Sequence, residues 1–253
     1  MIDHDNKWVY VKTSKCASTT IQKQIRKDFD KRMVDYPKTA YEKNILQKFR
    51  YRTEYGDEFW IPHYHLLDQI AIIKKDVLQN PDEYFKFTFV RNPWSKLVSY
   101  YFFATRFKDN INPKNGKIIP HKNISQYSFK EFIMNLEEIK MDTDWVLKQT
   151  LGQAIHLKKL LDSKGFCNNC YDWISDENGK MLPMDFIGKV ENIEEDYNKL
   201  VKLLNSPISK TPLYKKNVSK HDHYTTYYDK DMIQIVNKLF EKDIETFKYK
   251  FEN

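Results

Sequence analysis

Two segments of the chain place cationic and hydroxyl side chains directly after a short apolar run. The first, residues 12–20, reads KTSKCASTT and follows the apolar residues 8–11 (WVYV). The second, residues 91–102, reads RNPWSKLVSYYF and follows residues 85–90 (FKFTFV). A strand, such a loop and then a helix can grip a phosphate group, because loop N–H groups and the helix N-terminus both point at the anion. Two such units predict a ligand with two separated anionic groups.

The first segment has the features of a phosphate-binding loop but contains no glycine. The six glycines of the chain lie at least nine positions apart, which excludes the Walker A loop and the dinucleotide-binding loop. The residues that could contact an anion are Lys12 and Lys15, the small residues Ala17 and Ser18, and the hydroxyl groups of Ser18, Thr19 and Thr20. In the alternative interpretation Ser18 only caps a helix, which accounts for its hydroxyl but not for the two lysines.

The second segment begins with an arginine at the predicted end of a strand. Arg91 carries a planar fork of donors that suits a terminal phosphate, and Ser99 follows about two turns into the next helix. Strand ends near the switch point of an α/β sheet are where such proteins bind ligands. The alternative is an arginine that caps a helix and pairs with a surface carboxylate.

Composition limits the classes of protein and partner. The 253 residues carry a net charge of +7, which favours an anionic partner such as a nucleotide, a polyanionic glycan or nucleic acid, unless the lysines only reflect coding bias. No apolar run approaches the roughly 18 residues of a membrane span. The N-terminal residues MIDHDNKW lack a signal-peptide core, and three cysteines make no secreted framework, so we expect a cytoplasmic protein.

Strand-like and helix-like segments alternate along the chain. Residues 7–12, 85–90 and 185–190 are predicted strands; residues 18–33, 93–107, 128–165, a segment from Asn192, and residues 229–250 are predicted helices. Residues 38–60 are predicted as a short helix with a surface excursion, and residues 108–127 and 206–227 as loops. This order predicts a single α/β domain, residues 1–253, with an irregular insertion at about 166–184. Its parallel sheet would have helices on both faces.

Histidines and cysteines suggest further sites. His63 and His65 would share one face of an extended segment, where they could be two zinc ligands completed from His221 or His223. They could equally be packing residues, or supply a general base, because imidazole titrates near neutral pH. Cys167 and Cys170 form a lone C-x-x-C, most simply a structural pair of free thiols or a local disulfide, although half a zinc site and a redox pair are alternatives.

The two phosphate-type segments resemble the elements that bind the 5′- and 3′-ends of 3′-phosphoadenosine 5′-phosphosulfate (PAPS) in sulfotransferases. The likeness is greatest to the carbohydrate sulfotransferases, including the heparan sulfate 2-O-sulfotransferase group and related Golgi-type and bacterial enzymes. Further segments resemble this family in the same order: residues 63–68 (HYHLLD), 185–196 (DFIGKVENIEED), 213–224 (LYKKNVSKHDHY), 227–229 (YYD) and 240–247 (FEKDIETF).

The resemblance implies a P-loop-NTPase-like sheet and a role for each matching residue. The 5′-phosphosulfate would be cradled by Lys15, Cys16, Ala17, Ser18, Thr19 and Thr20, with Lys15 on the bridging oxygen and Lys12 nearby. Arg91 and Ser99 would hold the 3′-phosphate, helped by Lys216 and Ser219. His65 would be the general base, with His63 as the second choice. Cys16 departs from the family, in which threonine or glycine is common at this position.

The implied activity is in-line transfer of the sulfuryl group from PAPS to a glycan hydroxyl, leaving 3′-phosphoadenosine 5′-phosphate (PAP), without a metal. Three alternatives compete with it. The acceptor could be a small-molecule or protein hydroxyl, the enzyme could be an unusual nucleotide-dependent kinase, or the chain could be a non-catalytic polyanion-binding module. Nucleic-acid binding is not expected, because lysines and aromatic residues are scattered and no recognised motif is present.

Overall fold

The computed structural model describes residues 1–28, 51–52, 58–59, 65–76, 78–105, 124–137, 169–205, 213 and 221–252. In these residues the main sheet has four strands, in the order β1–β2–β5–β6. Their bounds are Ile2–Asp3 for β1, Trp8–Val11 for β2, Phe85–Val90 for β5 and Phe186–Lys189 for β6. Strands β3 (Tyr51–Arg52) and β4 (Glu58–Phe59) pair in a separate antiparallel ladder.

The three predicted strands are the three parallel strands of the sheet. Strand β5 pairs in parallel with β2 on one side and with β6 on the other. Strand β1 is an antiparallel edge strand, so the sheet is mixed and not wholly parallel. The sequence does not reveal β1, because two residues are too short to show alternation. The strands β3 and β4 also correct the prediction for residues 38–60, which did not include a β ladder.

Seven α-helices lie in the described residues. They are α1 (Ser18–Asp28), α2 (Leu66–Asp76), α3 (Pro93–Ala104), α4 (Phe129–Met134), α5 (Ile193–Leu203), α6 (Lys230–Leu239) and α7 (Glu241–Phe247). Pro93 occupies the first turn of α3, where its missing N–H costs nothing. Helix α2 was not anticipated from the sequence, whereas α1, α3 and α5 fall within predicted helices.

Helices cover both faces of the sheet. Successive strand residues point to opposite faces. Trp8 and Tyr10 pack with Ile21 of α1 and Leu200 of α5 in one buried cluster. The alternate residues of β2, Val9 and Val11, belong to the other cluster, together with Leu66 of α2 and Leu97 of α3. Burying each of these apolar side chains stabilises the fold by about 1.5–3 kcal/mol.

Helix α4 is much shorter than the predicted helix over residues 128–165. Ser128 and Glu131 form a capping box that starts the helix. The helix ends at Met134, since the Asn135 side chain donates a hydrogen bond of 2.8 Å to the backbone carbonyl of Glu131. Such a side-chain bond competes with helix propagation. The remainder of the prediction, from residue 138 to residue 165, lies outside the described residues.

The C-terminal segment forms two helices instead of the predicted single helix over residues 229–250. Helix α6 ends at Leu239, and Phe240 has the non-helical backbone angles φ −114° and ψ 22°. The Phe240 ring is buried, as is the carboxylate of Asp243 in α7.

One glycine in β6 makes room for a buried aromatic ring of β5. Gly188 lies opposite Phe89 in the register of the two strands. A Cβ atom added at Gly188 would overlap the aromatic ring of Phe89. The absence of a side chain therefore lets this ring, which is fully buried, pack over the neighbouring strand.

Candidate functional site

The loop between β2 and α1 contains two residues in the left-handed conformation. Lys15 has φ 59° and Ala17 has φ 53°. Residues other than glycine adopt this conformation at a cost, so it tends to occur where function requires a particular backbone course. Left-handed residues within a turn point neighbouring N–H groups into a common concavity that suits an anion. This backbone course therefore suits an anion, although the loop lacks glycine.

Helix α1 begins directly after this loop. The carbonyl oxygen of Ala17 accepts hydrogen bonds from the N–H groups of Thr20, at 2.9 Å, and Ile21, at 3.1 Å. Ala17 therefore occupies the N-cap position and Ser18 is the first helical residue, so the interpretation of Ser18 as the N-cap is wrong. The other N–H groups of a first helical turn generally have no intrahelical acceptor, and the helix dipole adds positive potential there.

Short hydrogen bonds tie the loop to the neighbouring strand and helix. The Thr13 hydroxyl donates to the carbonyl of Phe89 over 2.5 Å, and the Thr88 hydroxyl donates to the carbonyl of Val11 over 2.8 Å. The buried Lys12 ammonium donates to the side chain of Gln22 in α1 over 2.9 Å. These contacts fix the loop where β2 and β5 end side by side.

Arg91 reaches this loop from the end of β5. Its Nε and Nη2 atoms donate to the Ser95 hydroxyl at 3.1 and 3.0 Å, and Nη1 donates to the Lys15 carbonyl at 3.4 Å. Burial lowers the pKa of Arg91 from its ordinary value, while Cys16 and Glu191 act in the opposite direction. An arginine keeps its charge at neutral pH, so the two phosphate-type units meet around one cation.

Helix α3 turns a set of side chains with a four-residue spacing toward one side. Ser95, Ser99 and Phe103 follow Arg91 at this spacing, which brings side chains together along a helix. Ser99 is buried. The Lys15 ammonium lies 4.0 Å from the centroid of the Phe103 ring, in a cation–π contact. The sequence motifs did not single out Ser95 and Phe103, although the four-residue spacing from Arg91 could have indicated them.

Glu191 fixes the start of α3 next to Arg91. One carboxylate oxygen accepts a hydrogen bond of 2.8 Å from the Asn92 backbone N–H, and the other accepts one of 3.2 Å from the Tyr249 hydroxyl. The Asn92 side chain in turn caps α3 by accepting from the Ser95 N–H at 3.1 Å. Burial raises the pKa of Tyr249, so its hydroxyl stays a donor. Glu191 belongs to the segment DFIGKVENIEED, whose role the sequence did not indicate.

Cys16 faces the core and meets a distant cysteine. Its sulfur lies 3.5 Å from the sulfur of Cys170, and both side chains are buried free thiols. The buried Lys96 ammonium donates to the Cys170 sulfur over 3.5 Å. Burial alone would raise the pKa of Cys16, but the hydrogen bond from Cys170 and the charges of Lys96 and Arg91 lower it. The pKa of Cys170 is raised well above its usual range by its bond to Cys16 and by burial.

Asp243 anchors the segment that carries Cys170. Its carboxylate accepts hydrogen bonds from the backbone N–H groups of Cys170, at 2.7 Å, and Tyr171, at 2.8 Å. Burial raises the pKa of Asp243, while the Lys96 charge opposes the shift. The described part of the expected irregular insertion contains a 3-10 turn, Tyr171–Ile174, and a bridge between Ser175 and Met181.

His65 is buried next to this insertion, with both ring nitrogens hydrogen-bonded. Nδ1 accepts from the Leu67 N–H at 3.1 Å, and Nε2 lies 2.7 Å from the Asp172 carbonyl oxygen. Since a carbonyl only accepts, Nε2 carries the proton and the ring is neutral. The ring thus links the start of α2 to the insertion.

Other predicted site residues lie apart or outside the described residues. His221 stacks on Phe102 with ring centroids 5.3 Å apart, and His223 lies 3.0 Å from the Thr225 hydroxyl. Among the described residues no group of three or more histidine, cysteine or acidic side chains is arranged to hold a metal. Four further residues with predicted roles lie outside the described residues: His63, Cys167, Lys216 and Ser219.

Within the described ranges, no helix combines the length and the apolar character that crossing a bilayer requires.

Comparison with known proteins agrees with this arrangement of loops and strands. A family model described as the sulfotransferase family matches residues 1–250. An uncharacterized protein from Archaeoglobus fulgidus is 29% identical over 126 residues, which cover 50% of this chain and 72% of that protein.

Proposed function

The chain belongs to the sulfotransferase family, and we propose that it transfers a sulfuryl group from PAPS to a hydroxyl group of a glycan, releasing PAP. The observation that carries the proposal is the meeting of the two phosphate-type units, where Arg91 touches the backbone of Lys15 at 3.4 Å. We take the unit of β2, loop and α1 as the counterpart of the phosphate loop in P-loop-NTPase-like folds.

The loop suits the 5′-phosphosulfate end of the donor. Its left-handed residues and the first turn of α1 offer backbone N–H groups, and Ser18 and Thr19 add hydroxyls on the accessible side. Lys15 supplies the charge that neutralises the leaving phosphate. Cys16 contributes through its backbone, because its sulfur faces the core. Thr20 and Lys12 are buried and support the loop from behind.

Arg91 suits the 3′-phosphate, which distinguishes PAPS from ordinary adenine nucleotides. Ser95 holds the guanidinium through two hydrogen bonds, and Glu191 holds the neighbouring backbone. A charged donor fork held in this way loses little freedom when it binds a phosphate. Ser99 on α3 is the expected second ligand. The resemblance adds Lys216 and Ser219 from the basic loop.

The proposed reaction is a single in-line displacement. The acceptor oxygen forms a bond to sulfur while the bond from sulfur to the bridging oxygen of the 5′-phosphate breaks. The acceptor proton passes to a histidine, and the leaving charge is stabilised by Lys15 and the loop N–H groups. We assign the base to His63 and a positioning role to His65, since both ring nitrogens of His65 are already bonded to backbone groups.

The glycan acceptor is the most specific part of the proposal. It is supported by the net charge of +7, which favours an acidic polysaccharide, and by the sequence resemblance to carbohydrate sulfotransferases. Transfer to a small-molecule or protein hydroxyl is the main alternative. A basic surface without catalysis is the other, and it predicts polyanion binding without any transfer.

Two measurements test the proposal. In thermal-shift titrations we expect PAP to stabilise the protein at concentrations where ATP with Mg²⁺ does not. Label from ³⁵S-PAPS should then appear on a member of a panel of glycans, small alcohols and tyrosine-containing peptides. Stabilisation by ATP with Mg²⁺ alone would favour a kinase. PAP binding without transfer to any acceptor would favour a binding module.

A further inference from the structure

Cys16 and Cys170 form a pair that the proposed sulfuryl transfer does not use. The two sulfurs lie 3.5 Å apart although the residues are 154 positions apart in the chain. A disulfide requires about 2.05 Å between the sulfurs, so they would have to approach by roughly 1.5 Å. We propose that Cys16 and Cys170 form a reversible disulfide with hydrogen peroxide, and that this bond weakens anion binding by the loop of residues 12–17.

Of the two cysteines, Cys16 is the one whose surroundings favour the thiolate form. Its pKa is lowered, because the hydrogen bond from Cys170 and the charges of Lys96 and Arg91 outweigh burial. The thiolate is the form that reacts with peroxide. Lys96 also lies against the second sulfur, at 3.5 Å from Cys170, so one buried cation serves both partners.

The chemistry balances with peroxide as the only oxidant. The Cys16 thiolate attacks one peroxide oxygen, the O–O bond breaks, and a sulfenic acid forms while the departing hydroxide takes up a proton. The Cys170 sulfur then attacks the Cys16 sulfur, the S–O bond breaks, and the second oxygen leaves as water with the Cys170 proton. Two thiols lose two electrons and two protons, and peroxide becomes two water molecules.

Forming the bond has to move the loop as well as the segment at Cys170. Two hydrogen bonds to the Asp243 carboxylate hold the backbone at Cys170. Cys16 lies between the two left-handed residues of the loop, Lys15 and Ala17. Pulling Cys16 toward the core therefore displaces the N–H groups of the anion site. It also displaces the Lys15 carbonyl that accepts from Arg91.

The sequence suggested a different pairing. A local disulfide would join Cys170 to Cys167, three positions earlier in the C-x-x-C motif. The contact with Cys16 instead links the insertion to the phosphate loop, and this pairing is the one that affects the donor site. Peptide mapping distinguishes the two cross-links directly.

The test compares the wild type with Cys167→Ser and Cys170→Ser after hydrogen peroxide treatment. Free thiols are alkylated under denaturing conditions, and non-reduced peptides are mapped by mass spectrometry. We expect a peptide containing Cys16 joined to one containing Cys170 in the wild type and in Cys167→Ser, but not in Cys170→Ser. Alkylation of all thiols, or a Cys167–Cys170 bond alone, would overturn the proposal. The wild-type map decides this point even if a variant fails to fold.

The effect on the loop is read from PAP binding by calorimetry. We expect oxidation to weaken PAP binding at least tenfold in the wild type and in Cys167→Ser, with recovery after dithiothreitol. Cys170→Ser should bind PAP equally well before and after peroxide. A cross-linked protein with unchanged PAP affinity would overturn the effect on the loop. This readout rests on the proposed function, and a reduced protein that does not bind PAP would refute that function while the peptide map still decides the disulfide.

Discussion

Arg91 donates a hydrogen bond to the backbone carbonyl of Lys15, over 3.4 Å. The residue expected at one end of the donor thus touches the loop expected at the other end. Because β2 and β5 are parallel neighbours, their carboxyl ends meet at the same edge of the sheet. The proposed binding of one nucleotide across both units requires such a meeting.

Replacing Arg91 should show how much the 3′-phosphate, as opposed to the 5′-phosphate, contributes to nucleotide binding. We expect Arg91→Ala to weaken PAP binding by about tenfold to a hundredfold, the loss typical of hydrogen bonds to a charged group. Adenosine 5′-phosphate, which lacks the 3′-phosphate, should bind almost unchanged. Calorimetric titration of both nucleotides provides the measurement, with the exposed Lys202→Ala as a control for the lost charge. Equal losses for both ligands would mean that Arg91 acts through the Lys15 loop.

Lys15 should matter for turnover more than for folding. At saturating donor we expect Lys15→Ala to lower kcat at least about tenfold, because the leaving phosphate loses its neutralising charge. Lys202→Ala should keep the wild-type kcat. Unchanged turnover in Lys15→Ala would remove this lysine from the mechanism. The lost cation–π contact with Phe103 is expected to cost only about 0.5–1 kcal/mol of stability.

The two neighbouring histidines can be separated by a conservative substitution. We expect His63→Ala to lower kcat by about a hundredfold or more, the usual contribution of a general base, with PAP affinity nearly intact. His65→Asn keeps an acceptor for the Leu67 N–H and should lose less activity. The apparent pKa in the pH–rate profile of His65→Asn should equal that of the wild type. A loss of activity in His65→Asn but not in His63→Ala would indicate that His65 is the general base.

Asp243 should be a large contributor to stability. Asp243→Ala leaves the N–H groups of Cys170 and Tyr171 without their acceptor, and each buried orphan costs about 1–3 kcal/mol. We expect a loss of about 2 kcal/mol or more in urea unfolding. The exposed Glu241→Ala in the same helix should change the free energy of unfolding little. Similar values for the two variants would contradict the anchoring role.

Asp229 should make stability depend on pH in acid. The hydrogen bond from Lys130 and that from the Met232 N–H lower its pKa below the ordinary value of 3.8. A lowered folded pKa gives stability that is complete above the unfolded pKa and is lost as the pH falls through the folded pKa. Asp229→Asn keeps the cap but not the charge. Its Tm should lie below that of the wild type at pH 7 and converge with it in acid; a gap that does not change with pH would contradict this.

The sequence predicts what depends on local pattern and misses what depends on distant contacts. Apolar runs identified β2, β5 and β6. The order of strand, loop and helix pointed to Lys15 and Arg91, and the structure shows a hydrogen bond between them. The Cys16–Cys170 contact joins residues 154 positions apart, and Glu191 meets Asn92 across 99 positions. No periodicity encodes such pairs. The helix predicted over residues 128–165 is interrupted for another reason, since the Asn135 side chain bonds to the Glu131 carbonyl and the helix ends at Met134.

Gly188 leaves room for the ring of Phe89 on the adjacent strand. Even alanine there would force the ring aside, and Phe89 lies two residues before Arg91, which follows the end of β5. The Thr13 hydroxyl also donates a hydrogen bond to the Phe89 carbonyl, so the disturbance would spread to the loop of residues 12–17. If the chain binds the nucleotide as proposed, a variant at residue 188 would therefore lower the affinity for the nucleotide without contacting it.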